Sequence, residues 1–276
     1  MTAIPTFDTA RISAPRLGLG TFGMRGAECA DAVARAIQMG YRHIDTAQMY
    51  GNEDAVGAAI AGSLVARKDL FITTKVWWDQ LTEDGVRRAA AASLARLGAG
   101  YVDLYLIHWP APDMDLDAAL RGLAAVRREG LARAVGVANF PSALLRRALD
   151  SDIVPIASLQ VEYHVYLAQA RLLAMCREAG IALTAYTPLA KGSVAHDPIV
   201  TRIAKKHGAS EVQIALAWLL AQDNVLAIPK SARAAGQRAN LDACAILLDA
   251  SDMATLAGLP KNRRMVDPGF APEWDR

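Results

Sequence analysis

Four side chains that could transfer or stabilise a proton lie where three short apolar runs of the sequence end. Asp45 and Tyr50 close the first run, Lys75 closes the second and His108 closes the third. If these runs are parallel strands of a barrel, their carboxyl ends converge on one mouth, where active sites are found. An acid, a phenol, a cation and an imidazole together suit chemistry at a carbonyl group, with Tyr50 as the proton donor.

The types of these four residues match the needs of carbonyl reduction. A tyrosine is a reluctant acid because its unperturbed pKa is about 10, and a neighbouring ammonium such as Lys75 lowers that pKa. A lysine that emerges from a strand interior needs a counter-ion, which Asp45 can supply. His108 can donate a hydrogen bond to the substrate oxygen and orient the carbonyl.

Each of these residues also has an ordinary structural interpretation. Tyr50 alone could be a half-buried loop aromatic, Lys75 and Asp45 a structural ion pair, and His108 a hydrogen-bonded core histidine. Their joint occurrence at three consecutive strand ends favours a catalytic site. A barrel isomerase or aldolase that uses Lys75 as a Schiff base remains an alternative.

A strand-then-helix alternation runs along the whole chain and contains no linker. The predicted strands are Leu17–Leu19, Arg42–Thr46, Leu70–Val76, Val102–His108, Ala134–Ala138, Ser158–Glu162, Ala182–Tyr186 and Val225–Ile228. The predicted helices are Glu28–Met39, Glu53–Ala61, Glu83–Leu97, Leu116–Arg128, Ser142–Leu149, Gln169–Ala179, Ser210–Ala221 and Gly236–Ala243. Eight such units in about 250 residues predict an α/β fold, a single-domain (β/α)8 TIM barrel spanning residues 1–276.

A doubly wound sheet is the alternative fold. Its nucleotide-binding turn has only a poor candidate at Gly18, Gly20 and Gly23, whose spacing does not fit the dinucleotide-binding motif. Two strand-like pieces between Ile4 and Pro15 predict a hairpin that plugs the barrel bottom. The tail from residue 260 to 276 has no helical period and predicts an ordered C-terminal loop that could shape a pocket.

Composition and charge exclude several other classes of protein. The 276 residues are 53% hydrophobic, and 30 basic against 28 acidic residues leave a net charge of +2, so no nucleic acid partner is expected. Cys29, Cys176 and Cys244 have no metal-ligand spacing, so we expect no metal and a reducing compartment. No charged leader precedes a long apolar run, and no run can span a membrane. We therefore expect a soluble, cytoplasmic monomer.

Five segments resemble the successive motifs of the aldo-keto reductases. They are GYRHIDTA at 40–47, TTKVW at 73–77, LIHWP at 106–110, GVANF at 136–140 and IPKS at 228–231. They occur in the family's order, and the resemblance covers essentially the whole chain. The short length and the ending VDPGFAPEWD at 266–275 are most similar to the bacterial 2,5-diketo-D-gluconate reductases, especially the B type.

The resemblance implies reduction of a small-molecule carbonyl compound by NADPH, with NADH as a weaker cofactor. Aldehydes, ketones, diketo sugar acids such as 2,5-diketo-D-gluconate, and methylglyoxal are the implied substrates. It implies that Tyr50 is the general acid, Lys75 and Asp45 its tuning pair, and His108 the substrate orienter. The implied cofactor contacts are Thr21, Asp45, Asn139, Gln160, Tyr186, Thr187, Leu189, Lys230, Ser231, Arg233 and Asn240. The expected substrate wall is Phe22, Trp77 and Trp109.

The sequence departs from the family pattern at two positions. Ala138 stands before Asn139 where the family usually has serine, which removes one hydrogen bond to the nicotinamide carboxamide. Gly236 stands where an arginine often binds the 2′-phosphate, and Arg233 or Arg238 could substitute. NADPH is therefore expected to be preferred rather than required. A regulatory barrel that binds cofactor with little turnover is a rival, which the intact catalytic set argues against.

Overall fold

Eight parallel strands form a closed barrel in a computed structural model that describes residues 4–275. These strands follow one another around the sheet in chain order. A parallel bridge between Leu17 and Ala227 joins the two ends of the sheet, and Gly18 N donates to Ala227 O at 2.9 Å. The predicted (β/α)8 barrel is confirmed, and the doubly wound alternative is wrong because an open sheet would have no such closure.

Within residues 4–275, two short strands precede the barrel and eight short strands form it. They are β1 Thr6–Asp8, β2 Ser13–Pro15, β3 Leu19–Gly20, β4 His43–Asp45, β5 Phe71–Val76, β6 Val102–Ile107, β7 Ala132–Ala138, β8 Ile156–Glu162, β9 Ala182–Tyr186 and β10 Val225–Ala227. Every residue of β5 and β6 is buried, as expected for parallel strands covered on both faces. This burial explains why the strands are continuous apolar runs in the sequence.

Helices surround the strands within residues 4–275. They are α1 Gly26–Met39, α2 Glu53–Ala61, α3 Glu83–Leu97, α4 Leu116–Arg128, α5 Ser142–Asp150, α6 Ala170–Ala179, α7 Pro198–His207, α8 Glu211–Leu220, α9 Ala234–Asp242 and α10 Ala250–Ala257. The ends of α3 show the local causes: Thr82 Oγ1 accepts from Gly85 N at 3.0 Å, and Gly98 ends the helix at φ 58°. None of these helices is long and apolar enough to cross a bilayer.

Each predicted strand and helix overlaps an observed one, but two helices were missed. Helix α7 follows Asp197, whose carboxylate caps it, and begins with Pro198. Helix α10 begins with a capping box between Asp249 and Asp252. Both start signals are visible in the sequence. The helices lie outside the repeating strand–helix unit, which is why the barrel pattern did not predict them.

The N-terminal hairpin closes the bottom of the barrel. Strands β1 and β2 pair antiparallel, with Phe7 opposite Ala14. Ile12 and Ala14 pack against Phe71 and Leu104, which lie at or near the beginnings of their strands. The predicted plug is therefore confirmed.

Candidate active site

A fully buried ion pair lies at the carboxyl ends of β4 and β5. Lys75 Nζ lies 2.6 Å from Asp45 Oδ1 and donates a second bond to Thr46 O at 2.8 Å. The Lys75 side chain is 0% exposed, and burial lowers its pKa while Asp45 raises it. An amine enclosed in this way is not accessible to a substrate carbonyl, which counts against the Schiff-base alternative.

Tyr50 lies directly above this ion pair. It ends a 3₁₀ turn, Gln48–Tyr50, that follows β4 and is closed by Gly51 at φ 62°. Lys75 Nζ lies 5.1 Å from the centroid of the Tyr50 ring, and the ring meets His108 edge to face at 5.5 Å. The four residues singled out from the sequence are therefore brought together at one end of the barrel.

The electrostatic environment of Tyr50 differs from the expected one. Burial raises the pKa of Tyr50 well above its usual value, and the charge of Asp45 raises it further. The lowering of this pKa that we expect from Lys75 is smaller than these two opposing effects. Asp45 lies 2.6 Å from Lys75 and offsets part of its charge, so the attraction of Lys75 for a phenolate does not outweigh the cost of desolvating that phenolate.

His108 follows β6 immediately and presents one edge of its ring to the barrel mouth. Its backbone N donates to Val76 O at 3.0 Å, and the residue is 7% exposed. Burial, followed by the positive charge of Lys75, holds the pKa of His108 well below its usual value, so the ring is neutral at neutral pH. Nδ1 is enclosed and has no partner within residues 4–275, whereas Nε2 is not enclosed. We therefore assign the proton to Nε2, which can donate to a substrate oxygen.

Two buried amide side chains connect this cluster to β7, β8 and β9. Asn139, at φ 63°, donates from Nδ2 to His108 O at 2.9 Å and accepts from Tyr186 Oη at 2.7 Å. Gln160 Nε2 donates to Asp45 Oδ2 at 2.8 Å. Each amide retains a second N–H and a free lone pair, so both can still bind a carboxamide. The Gln160 bond to Asp45 was not anticipated from the sequence.

The remaining side chains predicted near the nicotinamide and adenosine differ in accessibility. Thr21 is fully buried, and its hydroxyl donates to Asp45 O at 3.0 Å. Thr187, at φ 50°, and the partly buried Leu189 follow β9 directly. Asn240 is 2% exposed within α9, a burial similar to that of Asn139 and Gln160.

A second polar region lies between β10 and α9. Lys230 is exposed, and its Nζ reaches the loop after β3, where it lies 3.7 Å from the Cβ position of Gly23. Ser231 Oγ accepts from Arg233 N at 3.3 Å, which forms a tight turn before α9. A Cβ at Gly236 would overlap Ser231 Oγ, so the arginine of the family pattern would require the Ser231 hydroxyl to move. Arg233 and Arg238 are both exposed on this side.

Aromatic side chains surround the mouth next to His108. Phe22 is 60% exposed and meets Tyr50 at 5.1 Å, and Trp77 meets His108 at 5.2 Å. Trp109 is only 4% exposed because it packs between Phe270 at 5.5 Å and Trp274 at 5.9 Å. Phe22 and Trp77 thus present surface to a ligand, whereas Trp109 chiefly supports the C-terminal tail.

Asn52, which the sequence analysis did not single out, holds this region in position. Asn52 donates from Nδ2 to Thr21 O and Met24 O, both at 3.0 Å, and accepts from Thr46 Oγ1 at 2.7 Å. It precedes α2 and looks like a helix cap in the sequence, but its side chain makes no cap bond. Asn52 instead ties the loop after β3 to the segment that carries Tyr50.

The C-terminal tail is fastened at two points. Glu162, at the end of β8, accepts from Met265 N at 2.6 Å and from Val266 N at 2.9 Å. Asp275 accepts from Ser142 N at 2.8 Å, at the start of α5. The tail is therefore an ordered loop at the mouth, as predicted.

The chain is similar to proteins of one family over nearly its whole length. The sequence model of the Aldo/keto reductase family matches residues 16–260. Methylglyoxal reductase DkgB of Escherichia coli O157:H7 is 40% identical over 265 residues, which cover 95% of this chain and 99% of that protein.

Solved structures agree with this similarity. A candidate 2,5-diketo-D-gluconic acid reductase B is 40% identical with a TM-score of 0.92, covering 95% of this chain and 94% of its own. An aldo-keto reductase complexed with NADPH is 31% identical with a TM-score of 0.93, covering 100% of this chain and 93% of its own. The expected family and the likeness to the B-type reductases are confirmed.

Proposed function

This chain belongs to the aldo/keto reductase family, and we propose that it reduces small carbonyl compounds to alcohols with NADPH as cofactor. The observation that carries the proposal is the arrangement of Tyr50 over the Lys75–Asp45 pair with His108 at its edge. NADPH supplies the hydride when bound. The protein has to bind, orient and protonate the carbonyl group.

We assign the protonation step to Tyr50. Its raised pKa keeps the phenol protonated at neutral pH, so the donor is present before the substrate arrives. His108 Nε2 donates a hydrogen bond that polarises and orients the carbonyl oxygen. Lys75 provides a buried cation beneath the Tyr50 ring, and that charge stabilises the phenolate that remains after proton transfer.

The residues present suit a nicotinamide dinucleotide. Asn139 and Gln160 can hold the carboxamide with their remaining donor and acceptor capacity, and Tyr186 offers an aromatic ring beside them. Lys230, with the turn before α9, offers a cation and backbone amides for a 2′-phosphate. We propose that NADPH is preferred over NADH without excluding it, because Gly236 removes one cation from this region.

The substrates that we propose are aldehydes and oxo compounds small enough for the aromatic mouth. Methylglyoxal and 2,5-diketo-D-gluconate are the first to test, because similar proteins are named for them. We further propose that the chain acts as one barrel domain and as a cytoplasmic monomer. The continuous closure from Leu17 to Ala227 supports the single domain.

Oxidation of NADPH, followed by its absorbance, tests the proposed reduction. Purified protein is supplied with methylglyoxal, 4-nitrobenzaldehyde or 2,5-diketo-D-gluconate, and with NADPH or NADH. We expect turnover with at least one carbonyl compound and higher kcat/KM with NADPH. Binding of NADPH without oxidation above background by any of these substrates would instead support a regulatory barrel.

A further inference from the structure

A second buried carboxylate, besides that of Asp45, lies near Lys75. Glu53 is the first residue of α2, and its side chain is 0% exposed. Its Oε1 accepts a hydrogen bond from Thr74 Oγ1, and Thr74 immediately precedes Lys75 in β5. Successive side chains of a strand point to opposite faces, so Thr74 and Glu53 lie on the helix side of β5, whereas Lys75 points into the barrel. Glu53 is therefore attached to the strand position next to Lys75.

Arg96, in the last turn of α3, pairs with Glu53 and holds it in place. Arg96 Nη2 and Nε lie 2.6 Å and 2.7 Å from Glu53 Oε2, and Nη2 also donates to Ser93 Oγ at 3.2 Å. The Arg96 side chain is 40% exposed, so water screens its charge, whereas the Glu53 carboxylate is enclosed. For groups on the Lys75 side, Arg96 therefore compensates the charge of Glu53 only in part.

The charged and titratable groups that face Lys75 come from several elements. Burial lowers the pKa of Lys75, and Asp45 and then Glu53 raise it. Burial also lowers the pKa of the histidines on β4 and after β6 and raises that of the tyrosine in the turn after β4. These three groups, which are uncharged at neutral pH, are His43, His108 and Tyr50. Among residues 4–275, Asp45 and Glu53 are thus the anions that stabilise the Lys75 ammonium.

We propose that Glu53 is a positioning residue of the active site, which acts through Lys75 by supplying a second negative counter-charge. The inference rests on the proposed reductase function and concerns the same site. An enclosed ammonium loses its hydration, and one carboxylate replaces that hydration only in part. Glu53 attracts Lys75 through protein rather than water, where charges interact more strongly at a given distance. The cation beneath Tyr50 thus persists to a higher pH and stabilises the phenolate formed on proton transfer.

The pH dependence of kcat/KM tests this role. At saturating NADPH, kcat/KM for 4-nitrobenzaldehyde reports the ionisation of the enzyme–NADPH complex, and its upper limb should follow loss of the Lys75 proton. Glu53→Gln keeps an oxygen for Thr74 but removes the charge, so this limb should move to lower pH by about half a unit or more. Arg96→Met leaves Glu53 uncompensated, so the limb should move in the opposite direction, by a smaller amount because Arg96 is partly exposed. Damage to packing alone would not produce shifts of opposite sign.

Asp103 supplies a matched control at the other end of β5. Its buried carboxylate pairs with Arg67 at 2.8 Å and with Arg133 at 3.3 Å. It also accepts a hydrogen bond from Ile72 N at 2.9 Å, near the beginning of β5. Asp103→Asn therefore disrupts a buried ion pair that contacts the same strand. It should lower the free energy of unfolding, as Glu53→Gln does, but leave the upper limb at the pH of the parent.

The double variant Glu53→Gln with Arg96→Met contains neither charge and tests the inference even if a single variant does not fold. Its limb should lie between those of the single variants and below that of the parent, because Glu53 is the enclosed member of the pair. Circular dichroism at each pH shows whether the protein is folded across the limb. The Kd for NADPH, measured by fluorescence quenching, should be unchanged in each variant, because none of these side chains is a predicted cofactor contact.

Several outcomes would overturn this inference. Upper limbs that coincide in the parent, in Glu53→Gln and in the double variant, or flat profiles in all three, would show that the charge of Glu53 does not affect Lys75. A shift to lower pH in Arg96→Met, or in Asp103→Asn a shift equal to that of Glu53→Gln, would attribute the limb to the loss of a buried ion pair rather than to the sign of the charge removed. Failure of the parent to reduce 4-nitrobenzaldehyde and the other carbonyl compounds would instead refute the proposed function.

Discussion

The proposed catalytic cluster of Asp45, Tyr50, Lys75 and His108 and the proposed phosphate site around Lys230 both contain charged side chains, but they are built in opposite ways. At the cluster, Lys75 and Asp45 are enclosed and bonded to each other at 2.6 Å. Between β10 and α9, Lys230 and Arg233 are exposed, and hydrogen bonds from Arg35 and Gln237 hold the turn together with Ser231. The charges of Lys75 and Asp45 are therefore buried in the protein, whereas those of Lys230 and Arg233 are solvated by water.

This difference separates the consequences of substitution. Removing one charge from a buried pair leaves the other charge without a partner in a medium of low polarity. Both the free energy of unfolding and the catalytic rate should therefore decrease. Removing an exposed cation costs the folded state little, because water solvates both states. The catalytic cluster should therefore affect rate and stability, and the Lys230 region should affect cofactor affinity only.

Lys75→Met should give the largest effect and tests the first half of this comparison. We expect a collapse of kcat and a loss of about 3–5 kcal/mol in the free energy of unfolding, because Asp45 stays buried and unpaired. The double variant Lys75→Met with Asp45→Asn should recover much of the stability and none of the rate. Urea unfolding and NADPH oxidation measure the two quantities. Equal stability of the single variant and the parent would contradict a buried charge pair.

Tyr50→Phe should separate rate from stability within the cluster. The Tyr50 hydroxyl donates no hydrogen bond to residues 4–275, so its removal should leave unfolding nearly unchanged. We expect kcat to fall by about 10²–10⁴-fold, the usual contribution of a positioned general acid. Quenching of protein fluorescence should show unchanged NADPH affinity. Retention of most of the activity would assign the proton to another donor.

Lys230→Ala should reduce cofactor discrimination and nothing else. Loss of one charge-assisted bond to a 2′-phosphate should lower kcat/KM with NADPH by about tenfold and leave NADH within about twofold. Lys205, exposed on α7, is a matched control whose replacement by alanine should change neither value. A lower free energy of unfolding for Lys230→Ala would contradict the view that this region affects cofactor affinity only. Equal use of the two cofactors by the parent would contradict the assignment of Lys230 to the 2′-phosphate.

The pH dependence of stability should give the smallest effect. Burial lowers the pKa of His43 and of His108, so below about pH 6.5 the unfolded chain binds more protons than the folded one. The free energy of unfolding should therefore decrease as pH falls through this range and be constant above it. His108→Gln should make the slope shallower by up to about 1.4 kcal/mol per pH unit.

Much of this protein could be predicted from its sequence because the determinants are local. Apolar runs, caps such as Thr82 and terminal glycines such as Gly98 mark the repeating units. The regular repeat then leads to a barrel and to the convergence of Asp45, Lys75 and His108 at one end. Tyr50 could be added because it lies five residues after Asp45, within one short turn.

Other properties were decided by contacts between distant parts of the chain. The direction of the Tyr50 pKa shift depends on the positions of Asp45 and Lys75 relative to each other and to the Tyr50 ring. These distances cannot be read from the spacing of the residues in the sequence. Trp109 is covered by a tail more than 160 residues away, which Glu162 and Asp275 fasten at the barrel mouth. Burial and electrostatic pairing arise from packing in three dimensions, so the sequence determined which groups meet at the mouth, and the tertiary structure decided their charge and accessibility.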